Sequence, residues 1–208
     1  MALKSFYPLY TDLSDSASGN TGSGSPTFAA LGPAVGSALF SSSRVTATAS
    51  AITGNWSMGF DAYRTAAASN NGSIYEVGTV GGSGFGVTIW SDDGAFGVPN
   101  GATDWWVNNL HQTGDDYNAT NIALTINVWT ICDYCYDGSN VYSYQDGNLK
   151  SQIAFTTNPS SATTCCIGDR YGSAGTYYNG RISRAYTDNA YRTPGEVKNG
   201  YAAKKGFF

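Results

Sequence analysis

An all-β sandwich or barrel with almost no helix is predicted by three observations. Turn signals built on Gly, Asn and Asp recur about every 8 to 12 residues, the rhythm of many short strands folded back on one another. Between 55 and 65, the apolar residues Trp56, Met58, Phe60 and Ala62 fall at every second position, the period of a half-buried strand. Two Asp-Gly pairs, Asp137-Gly138 and Asp146-Gly147, close two successive strand-like runs. Such pairs are the strongest short-range hairpin signal, because Gly supplies the positive φ of a tight turn and Asp folds back onto its own backbone. Residues 129–155 therefore read as a three-stranded antiparallel meander.

In chain order, 1–10 reads as a first strand with Phe6, Tyr7 and Leu9 as its packing residues. The stretch 11–26 is rich in Ser, Gly, Asp and Asn without periodicity and reads as a surface loop. Short strands are expected at 27–31, 37–41 and 44–50, then at 55–65. Asn70-Asn71-Gly72 turns into Ile74-Tyr75-Glu76-Val77, and Gly81-Gly82-Ser83-Gly84 into Phe85-Gly86-Val87-Thr88-Ile89-Trp90. Ser91-Asp92-Asp93-Gly94 then leads to Phe96-Gly97-Val98. Strands over 104–107 and 121–129 are separated by a polar loop at 111–120. Thr193-Pro194-Gly195-Glu196 reads as a capping box with Pro at the first helical position, and its plainest meaning is a closing turn. No break in composition suggests a second domain, and no internal repeat is evident.

The order of these segments resembles the laminin G-like members of the concanavalin A-like lectin/glucanase jelly rolls. There a Trp opens a strand ending in Tyr-Asp-Gly, here Trp129 to Tyr136-Asp137-Gly138, and the next strand ends in a Tyr-x-Asp-Gly turn, here Tyr144-Gln145-Asp146-Gly147. The resemblance continues through Ile167-Gly168, Gly180-Arg181-Ile182 and Thr193-Pro194-Gly195-Glu196-Val197, and loosely upstream through Ser5-Phe6-Tyr7-Pro8-Leu9 and Asn55-Trp56-Ser57-Met58-Gly59-Phe60. It implies a jelly-roll sandwich of two antiparallel sheets, with 1–199 as a single domain and 200–208 as a C-terminal arm. The chain departs from the family at Ser143 and Gln145, where apolar residues are usual, which leaves open the face of that strand that is core. Cys132 and Cys135 also stand where Val and Thr are commoner.

Composition narrows the function classes. A chain of 208 residues suits one sandwich and should bury roughly 70% of its unfolded surface without staples. Charged residues make up only 12% of it, whereas 15 Tyr, 9 Phe and 5 Trp exclude a disordered chain and suit a hydrogen-bonding aromatic surface. A net charge of −4 and a single His argue against a nucleic-acid footprint, which needs a clustered basic face. No apolar run approaches the roughly 18 residues of a membrane span. The opening Met-Ala-Leu-Lys-Ser-Phe-Tyr-Pro holds no apolar signal core, so a protein starting at Met1 is expected to reach the outside without ordinary secretion, as a virion component does.

Catalytic chemistry finds no constellation. Glucanases of the resembling superfamily carry Glu-x-Asp-x-Glu on one strand, but here Glu occurs only at Glu76 and Glu196, and neither has an acidic neighbour two residues away. Asp92–Asp93 and Asp115–Asp116 are adjacent pairs in turns. His111 is alone, Gly22-Ser23-Gly24 is not a nucleophile elbow, and Gly81–Gly86 leads into neither a Lys-Ser/Thr nor a helix. No enzyme activity is expected. Cys132 and Cys135, and likewise Cys165 and Cys166, lie at spacings that point to opposite faces of a strand. Buried free thiols are the plain reading, with bridges between strands or a zinc site as alternatives.

Binding fits better. Trp105 and Trp106 are adjacent and face opposite ways on a strand, so one of them meets solvent or a partner unless both faces are covered. Asp115, Asp116, Tyr117 and Asn118 in the following loop, with His111 and Gln112, offer hydroxyl-binding chemistry for a glycan. The plain alternative is two core tryptophans and an ordinary loop. Tyr171, Tyr177 and Tyr178 near Asp169 make a second patch. Calcium, which many members of the resembling family hold at the rim, would find carboxylates in Asp115 and Asp116 or Asp92 and Asp93; no other cofactor is expected. Lys204, Lys205, Phe207 and Phe208 in the tail suit docking onto a partner subunit, either another virion protein or a copy of this chain. The expectation is a virion surface protein, a bacteriophage capsid decoration protein or an adhesin holding host cell-surface glycans weakly, with no nucleic-acid or membrane partner. A secreted or cell-surface lectin or carbohydrate-binding module is the alternative.

Overall fold

Alternation decides the architecture: Trp56, Met58, Phe60 and Ala62 turn into the core, and the positions between them turn away from it. The computed structural model describes residues 3–9, 12–13, 21–29, 36–48, 52, 54–65, 72–77, 85–90, 105–110, 117–154, 164–169 and 178–205. They form fifteen strands and one helix. The strands are β1 (Leu3–Tyr7), β2 (Ser23–Gly24), β3 (Thr27–Ala29), β4 (Ser37–Phe40), β5 (Val45–Thr48), β6 (Trp56–Arg64), β7 (Gly72–Val77), β8 (Phe85–Trp90), β9 (Trp105–Leu110), β10 (Tyr117–Leu124), β11 (Trp129–Tyr136), β12 (Asn140–Gln145), β13 (Asn148–Ala154), β14 (Thr164–Ile167) and β15 (Gly180–Asp188); the helix is α1 (Pro194–Lys204).

Two antiparallel sheets result. Sheet I runs β13-β12-β11-β6-β15-β4-β3, with β1 also pairing with β15, and sheet II runs β10-β9-β8-β7-β14-β5-β2. The fold is a jelly-roll β-sandwich. Between the sheets lie Trp56, Met58, Phe60 and Ala62 of β6, Cys132, Tyr134 and Tyr136 of β11, Ile182 and Ala185 of β15, and Ile74, Val77, Ile122 and Ile167 from sheet II. Trp56 stacks on Tyr136 at 5.5 Å between ring centroids. Each large apolar side chain fully withdrawn from water here contributes about 1.5–3 kcal/mol.

The meander expected over 129–155 is β11, β12 and β13. At its second turn both Asp146 (φ 52°) and Gly147 (φ 74°) sit in the left-handed region, as a two-residue hairpin of this kind requires. At the first turn Asp137 Oδ1 accepts from the backbone N–H groups of Ser139 and Asn140, both at 2.8 Å. Register resolves the face left open by Ser143. Ser143 pairs with the core residue Tyr134 and lies on the inner face, fully buried, while Tyr142 and Tyr144 face outward opposite Cys135 and Asp133.

Two expectations need correction. The strand expected at 121–129 begins earlier, so Tyr117 and Asn118 are the first positions of β10, paired with Leu110 and Asn109, and not loop residues. Antiparallel pairing with β9 extends the ladder back through residues whose polarity had suggested a loop. The closing turn is a full helix of eleven residues. Its capping box is present as read: Thr193 Oγ1 accepts from Glu196 N, and Glu196 Oε2 accepts from Thr193 N at 2.8 Å. The domain boundary drawn at residue 199 falls inside this helix, which lies against the outer face of sheet I through Val197, Tyr144 and Cys135.

Candidate functional site

The outer face of sheet I has two different halves. Under α1 it is closed and ionic. Arg184 of β15 donates two hydrogen bonds to Asp61 of β6, Nε to Oδ2 at 3.1 Å and Nη2 to Oδ1 at 2.8 Å. Tyr186 donates its hydroxyl to Asp133 Oδ1, and the Arg184 guanidinium lies 3.8 Å from the same carboxylate. Lys204 Nζ stands 3.6 Å from Asp61 Oδ1. Burial works against the Arg184 charge, but the Asp61 and Asp133 carboxylates outweigh it and hold the guanidinium pKa above its usual value. Burial, reinforced by Arg184, pulls the Lys204 ammonium down to about 8. Lys204, expected to reach a partner, thus folds back onto its own domain. Lys205 caps the helix and is exposed, and Phe207 and Phe208 lie outside the described residues.

Beyond α1 the same face carries an aromatic platform. Tyr63, last outward position of β6, meets Trp129, first residue of β11, with ring centroids 5.4 Å apart and planes tilted by 46°. Both are part-exposed. The Tyr63 hydroxyl donates to Asn127 Oδ1 at 3.3 Å, and the exposed Asn127 takes a left-handed backbone (φ 61°) that swings its amide toward the platform. Arg64 fixes this corner. Its buried guanidinium donates from Nη1 to Leu124 O at 2.8 Å, and its carbonyl accepts from Asn127 N at 2.8 Å. Two flat rings beside a primary amide, preorganised by a buried clamp, can stack on the apolar face of a sugar and hydrogen-bond its hydroxyls.

The pair expected to bind, Trp105 and Trp106, opens β9 in sheet II. Position 105 pairs with Leu124, and position 106 with Ala123 and Trp90. Tyr117 and Asn118 pair at the far end of the same strand. Asp115, Asp116, His111, Gln112, Asp92 and Asp93, the residues expected for the glycan loop and for calcium, lie outside the described residues. Among the described residues no cluster of three His, Cys, Asp or Glu side chains is placed to hold a metal ion. Of the patch expected around Asp169, Tyr178 is buried in the core and Asp169 is buried within 3.5 Å of Arg44, while Tyr171 and Tyr177 lie outside the described residues. All four cysteines are buried and free.

An open groove of about 310 Å³ crosses the other edge of sheet II, lined among the described residues by Thr21, Ser23, Thr46, Ala47, Thr48 and Thr164. It is rich in hydroxyls, two of which satisfy one another between Ser23 and Thr46 at 3.2 Å, but offers no ring to stack on. Sequence reading missed the Tyr63–Trp129 platform. The available signal was an aromatic at the outward phase of β6, whose inward phase is Trp56, Met58, Phe60 and Ala62.

No family model matches the chain, and no curated protein matches it in sequence. Solved structures do. Domain 4 of AbnA, a GH43 extracellular arabinanase from Geobacillus stearothermophilus in complex with arabinotriose, superposes with a TM-score of 0.69 over 95% of this chain and 97% of that one, at 16% identity. The receptor-binding domain of botulinum neurotoxin D gives 0.72 at 12% identity, over 97% of this chain and 52% of that one. The botulinum neurotoxin serotype G binding domain gives 0.68 at 16% identity, over 96% and 50%. The chain therefore spans about half of each toxin domain and nearly all of the arabinanase domain. At these identities the likeness is one of fold: a two-sheet jelly roll.

Proposed function

We propose that this chain is a non-catalytic carbohydrate-binding domain whose sugar rests on the Tyr63–Trp129 platform. The observation that carries the reading is the part-exposed ring pair, 5.4 Å between centroids, with the Tyr63 phenol hydrogen-bonded to the exposed amide of Asn127. Support comes from the arabinanase domain, matched nearly end to end and solved in complex with arabinotriose. Display on a bacteriophage virion, as a decoration protein or adhesin, is the finer form of the proposal, and many weak copies would then act by avidity. The likeness to one domain of an extracellular enzyme favours the second form, a module tethered to a secreted protein.

A glycan array probed with multimerised protein tests the reading, with and without chelator. Bound glycans are expected, with signal lost in Trp129→Ala and Tyr63→Ala and kept in Trp106→Ala. Melting curves of each variant confirm that the fold survives. Loss confined to Trp106→Ala would move the site to β9, and an array without any bound glycan would remove the reading.

A further inference from the structure

Tyr63 and Trp129 are one end of a longer row. Register places Trp129 opposite Tyr63, Tyr63 opposite Arg181, Arg181 opposite Leu39, and Leu39 opposite Thr27, on β11, β6, β15, β4 and β3 in turn. Alternation puts all five on the outer face: the neighbours Ala62, Ile182 and Ala38 belong to the core cluster. Strands lie about 4.8 Å apart, so the row is about 19 Å long, enough for a short oligosaccharide lying across the strands.

Arg181 is the cation at the middle of this row. Its Nη1 is withdrawn from solvent and has no hydrogen-bond acceptor. The carboxylate nearest along β6, Asp61, is already taken by Arg184 and approached by Lys204, and Asp133 is taken by Tyr186 and Arg184. Among the described residues no carboxylate pairs with Arg181. A guanidinium presents five donors in a fork that matches a carboxylate, and it cannot discharge itself by losing a proton. A neutral sugar would leave that fork unmatched, whereas a carboxylated one would satisfy it while its ring rests on the aromatics.

We propose that the platform is selective for acidic glycans, with Arg181 pairing with the carboxylate of a sugar whose neighbouring ring stacks on Tyr63 and Trp129. This rests on the platform being the sugar site. The shared chemistry is a carboxylated pyranose, supplied by either a uronate polymer or a sialylated chain. Strand spacing aligns the anion with Arg181 one strand from Tyr63 and two from Trp129, so the ligand runs perpendicular to the strands.

Titration calorimetry at physiological ionic strength tests this with four probes: trigalacturonate, its fully methyl-esterified form, sialyllactose and lactose. One acidic probe is expected to bind at least about tenfold more tightly than its neutral counterpart, and which one does so identifies the source. Arg181→Met should abolish that preference, bringing the acidic probe down to the affinity of its neutral counterpart, and Arg181→Lys should restore part of it, since an ammonium keeps the charge but not the fork. Equal binding of acidic and neutral probes, sensitive to Trp129→Ala, would keep the platform and overturn the acidic selectivity. A preference that survives in Arg181→Met would remove Arg181 as its reader. No binding of any probe would overturn the acidic selectivity, while the glycan array separately decides whether the platform binds sugar at all.

Discussion

Arg184 and Asp61 form a two-point ion pair between adjacent strands of sheet I, and both side chains are more than nine-tenths buried on the face that α1 covers. Their charges stabilise the fold only together. Asp61→Asn leaves Arg184 and Lys204 facing a single remaining carboxylate, Asp133, and is expected to cost about 3–5 kcal/mol, the usual penalty for orphaning one member of a buried pair. The double change Asp61→Leu with Arg184→Met should cost clearly less than the sum of the single changes. Urea unfolding of the two single variants and the double variant reads the difference directly; additive costs would mean that the pair does not act as a unit.

Gly59 makes room for that network. A Cβ at this position would stand 2.5 Å from Cys132 O, 2.6 Å from the Tyr186 ring and 2.8 Å from Asp133 Oδ1. The first contact is backbone within a central strand pair and cannot yield cheaply. Gly59→Ala should therefore lower stability by about 1–3 kcal/mol, as overpacking does. Gly200 is the internal control: in the middle of α1 nothing lies within 4 Å of its added Cβ, so Gly200→Ala should gain about 1 kcal/mol from helix propensity. Thermal melts of the two alanine variants should move in opposite directions.

The architecture was legible because its signals are local. The Asp146-Gly147 turn, the alternation in β6 and the Thr193–Glu196 capping box each depend on residues close in sequence, and each forms as read. What escaped depends on pairing between strands rather than on the pattern within one segment. Tyr117 and Asn118 read as loop because their own polarity says so, and only the ladder with Asn109 and Leu110 makes them strand. The extent of α1 depends on Val197 finding Cys135 and Tyr144 across the sheet. The platform has the same character. Trp129 was visible as a strand opener, but its partnership with Tyr63, 66 positions earlier, exists only through the β6–β11 register.

Lys204 gives the fold a dependence on alkaline pH whose sign can be worked out. Its folded pKa is about 8, pulled down first by burial, against the ordinary 10.5. Between these values the unfolded chain holds a proton that the folded chain has released, so stability should rise as pH climbs above about 8 and should have lost this contribution below it. Cys135 and Cys166 act oppositely. Burial pushes each thiol from 9.0 to about 12, so above pH 9 the unfolded chain ionises first and stability falls. A shallow stability maximum is therefore expected between about pH 8 and 9. Lys204→Met should flatten its acid side only, in denaturant midpoints measured from pH 7 to 10; an unchanged profile would mean that Lys204 does not titrate in this range.

α1 also shields a thiol, which makes its docking measurable. Cys135 sits in a small outer cluster with Tyr144 and Val197, and Val197 is the buried residue of the helix. Burial, the largest cause, holds the Cys135 thiol in its neutral form, so it should resist thiol reagents at pH 8 alongside the other three buried cysteines. Thr193→Ala removes the cap and is expected to cost about 1 kcal/mol, loosening the helix without unfolding the sandwich. Val197→Asp should go further, placing a charge in the apolar contact and lifting α1 from the sheet. Peptide mapping after a brief alkylation pulse should then find Cys135 labelled in Val197→Asp, weakly in Thr193→Ala, and not in the parent, with Cys132 and Cys165 protected throughout because they lie between the sheets. If Cys135 stays protected in Val197→Asp while the variant melts cooperatively, its cover comes from the tyrosines around it. Simultaneous labelling of Cys132 and Cys135 would mean instead that helix and sandwich open as one cooperative unit.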